Sequence, residues 1–257
     1  MSEGYDIGAC AALVERGDPV RFRAAMAAPV PARMVLFPLY AFNIEVSRAP
    51  WVTQEPMIAQ MRLQWWRDAL EEIASGGVVR RHEVVTPLAM AIRAEDVPAL
   101  DRLVAAREAD IEPGGFADLA ELLTYLEATA GGLIGVAARR LGGGAALAGA
   151  AGRALGVANW LMAVPALEAA GRRPLDIGGA DVPALAQAGQ EAMAELRAGW
   201  SSVPSAARPA FFPLASTPGV LRRAKAEPDR VRADTLEPGP FGARLRLALT
   251  AATGRIW

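Results

Sequence analysis

Apolar residues recur at three- and four-residue spacing along nearly the whole chain, and clean period-two alternation is scarce. That pattern restricts the chain to helices packed on helices. Alanine and leucine dominate the patterned stretches, which suits long helices whose stability comes from burial of one face. Helices are expected over Tyr5–Glu15 and Asp18–Ala27, the second with Asp18 as its cap and Pro19 at its first position. A largely buried helix is expected over Pro31–Val46, with a kink at Pro38. Glu55–Ala74 is the clearest amphipathic segment: Met57, Ile58, Met61, Trp65, Ala69 and Ile73 fall near one face.

Gly76-Gly77 ends that helix. Further helices are expected over Val97–Ile111, closed by Pro113-Gly114-Gly115, and over Ala117–Leu141, Ala145–Ala170 and Asp181–Trp200. After Ser201 the chain becomes rich in Pro, Ser and Arg, so residues 201–257 read as a less regular extension, with short helices near Pro218–Ala226 and Gly242–Ala252. No linker divides the chain. The fold class is all-α, a single large bundle of about eight to ten helices in one domain over residues 1–257. Six glycines inside the two long central helices, Gly131, Gly132, Gly135, Gly149, Gly152 and Gly156, suit either close helix approach or a flat apolar ligand.

Composition removes several function classes. A net charge of −1 gives no electrostatic case for nucleic acid. Cys10 and His82 are the only residues of their types, so a cysteine-rich zinc site, an internal disulfide and a two-imidazole site are all excluded. His82 reads as a solvated or locally hydrogen-bonded loop histidine. The longest uncharged apolar run, Ala154–Leu167, falls short of the ~18 residues that span a bilayer. The expectation is a cytoplasmic protein, with peripheral membrane contact left open.

Four blocks in order carry a resemblance. They are Arg33-Met34-Val35-Leu36-Phe37-Pro38-Leu39-Tyr40-Ala41-Phe42, Met61-Arg62-Leu63-Gln64-Trp65-Trp66-Arg67, Tyr125-Leu126-Glu127-Ala128-Thr129-Ala130-Gly131-Gly132, and Leu155 to Arg172. Over residues 15–175 the chain resembles the squalene/phytoene synthase family, which implies the isoprenoid synthase fold. The details Asn43, Glu45 and Val46, then Arg62, Gln64, Trp65 and Trp66, are similar to the degenerate branch that includes complex I assembly factor-like members.

Active members ionise an allylic diphosphate, and magnesium held by carboxylates neutralises the leaving group. Two aspartates four apart share one helix face, so each of two facing helices can grip an ion. The resemblance places those positions at Ser47, Arg48 and Trp51 in the first motif, and at Ala163 and Leu167 in the second. Met162 stands where the family has arginine, and Asn159 is retained. A hydroxyl, a guanidinium, an indole, a methyl and an isobutyl group replace five carboxylates, so no magnesium or other cofactor is expected.

Asp68 with Glu72, and Glu191 with Glu195, have the right spacing but sit on charged outer faces. The resemblance therefore implies a non-catalytic pseudoenzyme that binds a protein partner or an apolar isoprenoid-like ligand, in an assembly-type role. Its ligand pocket would be lined by Arg33, Tyr40, Phe42, Asn43, Glu45, Arg48, Arg62, Tyr125 and Asn159, and Met162, Ala163 and Leu167 are expected to plug or dry it. Trp65, Trp66 and Arg67 form the expected interaction patch. The alternative is an active isoprenoid-diphosphate transferase with Arg33, Arg48 and Arg62 in place of the metal, which requires an open, polar-mouthed cavity. The sequence is silent on oligomeric state.

Overall fold

The computed structural model describes residues 6–53, 55–112 and 114–256. Tyr5 and Pro113, named above as a helix start and a helix stop, lie outside them. The described residues contain helices and no β-strand. The chain opens with α1 (Gly8–Gly17) and α2 (Pro19–Ala27), separated by Asp18, whose carboxylate accepts the Arg21 N–H at 2.9 Å and so caps α2. Next come α3 (Val30–Arg48) and α4 (Pro56–Ser75), the latter closed by Gly76 at φ +66°. α3 runs without a break across Pro38 and buries Leu36, Phe37, Leu39, Tyr40, Ala41 and Phe42.

A helix not expected from the sequence, α5 (Val85–Ala91), follows His82; its seven residues are too few for a periodic signal. α6 (Val97–Ala106) tightens into a 3₁₀ turn over Arg107–Asp110. The expected single helix over Ala117–Leu141 is three pieces: α7 (Leu119–Leu126), a π turn over Glu127–Gly131, and α8 (Gly132–Arg140). The π turn lies where the next helix, α9 (Ala148–Ala169), comes closest. A Cβ on Gly152 would lie 2.3 Å from the Gly131 backbone, so close approach of α9 to the turn is what this glycine serves. By length and composition Leu119–Arg140 and Ala145–Ala169 could each cross a bilayer, but more than half of each apolar window is buried inside the bundle.

α10 (Val182–Gly199) packs along α9. Beyond it the Pro-rich stretch forms a 3₁₀ run over Ser205–Ser216, then α11 (Thr217–Ala226) and α12 (Pro240–Thr253). Phe211, Leu214 and Leu221 from this part are fully buried in the same core as α3 and α9. The bundle thus encloses the second half of α3 and the middle of α9 among helices from both ends of the chain.

Candidate functional site

A cavity of about 770 Å³ opens between α3 and α9. The last turns of α3 and the segment after it contribute Asn43, Ser47, Arg48 and Trp51; α9 contributes Asn159, Ala163 and Leu167. The remaining wall comes from Arg16, Asp18 and Arg21 at the α1–α2 junction, Arg107 and Asp110 of the 3₁₀ turn, and Tyr125 and Thr129 of α7 and the π turn. Met162, Ala163 and Leu167 therefore do not plug the cavity. Ala163 and Leu167 form wall, whereas Met162, about 100° around the helix from Ala163, faces a separate apolar cavity of about 380 Å³ with Leu155, Phe212 and Val220. Asn159 lines both cavities.

The polar groups of the wall are mostly engaged. Arg107 donates to the Tyr125 hydroxyl at 2.6 Å and to Asp110 at 3.1 Å, and the Tyr125 hydroxyl donates to Asp110 at 2.9 Å. Burial pushes the Tyr125 hydroxyl well above the ordinary tyrosine range, although the Arg107 charge opposes the shift. Burial works against the Arg107 charge too, but Tyr125 and Asp110 outweigh it and hold the guanidinium protonated. Asp18 pairs with Arg21. The Ser47 hydroxyl donates to the Ile44 carbonyl of its own helix at 3.0 Å. Arg172 lies 4.7 Å over the Trp51 ring and donates to the Asp110 carbonyl at 2.7 Å, and so ties two wall residues together. Arg16 and Arg48 are exposed cations at the mouth.

A second cleft of about 590 Å³ uses another face of α3. Glu45, Arg48, Ala49 and Val52 form one side; Ile58, Met61, Arg62, Trp65 and Trp66 of α4 form the other, with His82 at the end. Trp65 and Trp66 meet edge-on at 4.9 Å, and His82 contacts both rings. The His82 Nδ1 accepts the Val84 N–H at 3.1 Å, the local bonding expected of a loop histidine. Met57 and Met61 are 72% and 66% exposed, and with the exposed Trp65 they make an apolar stripe four residues apart on the open side of α4.

The structure divides the residues named from the sequence. Asn43, Arg48, Tyr125, Asn159, Ala163 and Leu167 meet in the central cavity, as do Ser47 and Trp51. Glu45, Arg62, Trp65 and Trp66 belong to the outer cleft, and Arg48 reaches both. Arg33 is in neither: it donates to the Ala28 and Met26 carbonyls and ties the α2–α3 corner. Tyr40 is buried beside Arg21, and Phe42 is buried edge-on to Trp66. Arg67 forms a bidentate pair with Asp101 of α6, at 2.7 and 3.1 Å, that fastens α4 to the bundle. Asp68 accepts from Gln64, and Glu72 from Arg80. Glu191 accepts from Gln187, and Glu195 from Arg153. Arg16, Asp18, Arg21, Arg107 and Asp110 are cavity residues that the sequence reading missed. They come from two separate segments, the α1–α2 junction and the 3₁₀ turn, with no shared motif, and only Asp18 carried a signal, that of a helix cap.

A sequence profile of the squalene/phytoene synthase family matches residues 14–175. This chain belongs to that family. The squalene/phytoene synthase fold extends over nearly all of it. A dehydrosqualene synthase solved in complex with ligand superposes with a TM-score of 0.74 at 14% identity, covering 96% of this chain and 95% of that one. A squalene synthase from Alicyclobacillus acidocaldarius superposes with a TM-score of 0.70 at 17% identity, covering 86% and 93%.

The sequence relatives bear another name. A Drosophila melanogaster protein named NADH dehydrogenase (ubiquinone) complex I assembly factor 6 homolog is 32% identical over 174 residues, 63% of this chain and 52% of the relative. The Homo sapiens assembly factor 6 is 25% identical over 127 residues, 49% of this chain and 38% of the relative. The chain spans about half or less of the length of these relatives.

Proposed function

We propose that this chain is a non-catalytic member of the squalene/phytoene synthase family that acts as a binding protein in an assembly-type role, with subunits of an NADH dehydrogenase complex as its partners. The observation that carries the reading is the chemistry of the α3–α9 cavity walls. Ser47, Arg48 and Trp51 face Ala163 and Leu167 where the family's chemistry needs carboxylates on both helices. The cavity's own carboxylates, Asp18 and Asp110, are each committed to an arginine, and Asp18 also caps α2. These residues do not fit a magnesium diphosphate cluster, so no ionisation step is derived through one. The names of the sequence relatives support the assembly role. The α3–α4 cleft supplies a face suited to a protein partner: aromatic, with Met61 and Ile58 exposed, and rimmed by Arg48 and Arg62.

One observation favours a second reading. The cavity is open, and Arg16, Arg21, Arg48 and Arg107 line it. Guanidinium groups suit an anionic head, and the adjoining apolar cavity beyond Asn159 suits a hydrocarbon tail. This arrangement would accept an isoprenoid diphosphate without metal, as a bound ligand or as a substrate.

Deleting the gene from its native host tests the proposal. Loss of assembled NADH dehydrogenase, with capture of its subunits on the purified chain, is the expected outcome. Intact NADH dehydrogenase together with a missing isoprenoid product would replace the assembly reading with the enzymatic one.

A further inference from the structure

The α11–α12 end carries a surface used by neither the central cavity nor the α3–α4 cleft. α12 rests on the bundle through Ala243, Leu247, Thr250 and Ala251. Its outer side presents Phe241, Leu245 and Leu249, which are 80%, 48% and 44% exposed. Four residues advance only slightly past one turn, so these three side chains make one continuous stripe. At about 100° per residue, Arg244 and Arg246 fall on opposite flanks of it. No aspartate or glutamate lies within Pro240–Thr253.

The neighbouring helix adds to the charge. Arg246 reaches over α11, where a Cβ on Gly219 would lie 2.2 Å from its guanidinium. The Arg223 guanidinium donates to the Gly219 carbonyl at 3.4 Å. Burial and then the charges of Arg246, Arg230 and Arg222 work against the charged form of Arg223, so cations are crowded here. Glu227 is taken up by Arg230 at 2.8 Å. Arg222, Arg244 and Arg246 have no ion-pair partner among the described residues. A two-fold pairing of α12 with a second copy would set these cations against themselves. A free phosphate would leave the apolar stripe in water.

We propose that α12 docks this protein on an anionic lipid surface. Phe241, Leu245 and Leu249 enter the boundary between headgroups and acyl chains, and Arg222, Arg244 and Arg246 reach the lipid phosphates.

The test is sedimentation of the full chain with vesicles of phosphatidylcholine plus phosphatidylglycerol, against vesicles of phosphatidylcholine alone. The chain is expected to pellet with the anionic vesicles and to be released by added salt. F241S/L245S/L249S should lower the partition coefficient at least about tenfold, and R244Q/R246Q on the order of thirtyfold, about fivefold for each arginine. Both variants should keep the helical circular dichroism and melting temperature of the parent, because the altered side chains lie outside the core. A parent chain that stays in the supernatant with anionic vesicles would overturn the proposal. So would equal binding by the parent and F241S/L245S/L249S. A dimer seen in lipid-free buffer and abolished by F241S/L245S/L249S, without vesicle binding, would assign the stripe to a second copy and overturn it equally.

Discussion

The central cavity and the α3–α4 cleft use adjacent faces of the last turns of α3 and share Arg48, yet they are built on different terms. The inner wall of the cavity carries charges satisfied inside the bundle, Asp18 by Arg21 and Asp110 by Arg107 and Tyr125, with Arg16 and Arg48 exposed at its mouth. The cleft presents methionine, isoleucine and tryptophan to solvent, with arginine at its rim. Partnered charge in a cavity wall preserves a shape. Exposed apolar surface costs free energy until something covers it. A protein that kept its fold while losing its metal chemistry would retain the first and expose the second.

Substitutions can separate the two regions, and the largest effect belongs to the contact between α9 and the π turn. Gly152→Leu pushes a side chain into the Gly131 backbone and should cost about 3 kcal/mol, the upper part of the overpacking range. Thermal unfolding measures it, and a neutral result would mean that α9 and the π turn are not held as closely as described. Next, Arg107→Met strips Asp110 and Tyr125 of their partner and should cost about 2 kcal/mol. Arg62→Met at the exposed cleft rim should stay within about 0.5 kcal/mol. Equal losses would erase the distinction between a structural cavity and a surface cleft. Met61→Ser with Trp65→Ser should likewise leave stability within about 1 kcal/mol, while capture of NADH dehydrogenase subunits falls at least about tenfold. Unchanged capture would remove the cleft from the binding account.

The smallest effect is a pH response confined to the cleft edge. Glu72 holds Arg80 by paired hydrogen bonds, and Arg80 covers the Trp65 ring at 4.6 Å. The Arg80 hydrogen bonds lower the Glu72 carboxyl below its ordinary value of 4.5. Its contribution is therefore fully present above that value and is lost as pH falls through the lower, folded one. Tryptophan fluorescence should shift over that acid window, and Glu72→Gln should abolish the shift without moving the melting temperature at neutral pH by more than a degree or so. A shift that survives Glu72→Gln would belong to another group.

The bundle was legible in the sequence because its signals are local. Asp18-Pro19 and Gly76 marked helix ends, and the apolar spacing marked α3, α4, α9 and α10. The π turn at Glu127–Gly131 was not legible, because it depends on α9 pressing against it, a contact between distant segments. The 3₁₀ run Ser205–Ser216 was hidden by its prolines, which read as irregular chain although residues 209–214 are buried. For the site, the motif positions on α3 and α9 could be read from the resemblance, and their side chains do meet across one cavity. Met162 went astray because one residue along a helix turns a side chain to another face. Arg16, Arg21 and Arg107 went unseen because nothing local distinguishes a cavity arginine from a surface one in a chain where arginine almost entirely replaces lysine.

The central claim, that the α3 and α9 walls no longer support metal-dependent diphosphate chemistry, is tested most directly by calorimetric titration with farnesyl diphosphate in the presence and absence of magnesium. The account predicts that magnesium produces no gain in affinity, because any binding comes from Arg16, Arg21, Arg48 and Arg107. Binding that appears only with magnesium, or tightens tenfold or about 1.4 kcal/mol with it, would contradict the account and return this chain to the catalytic members of its family.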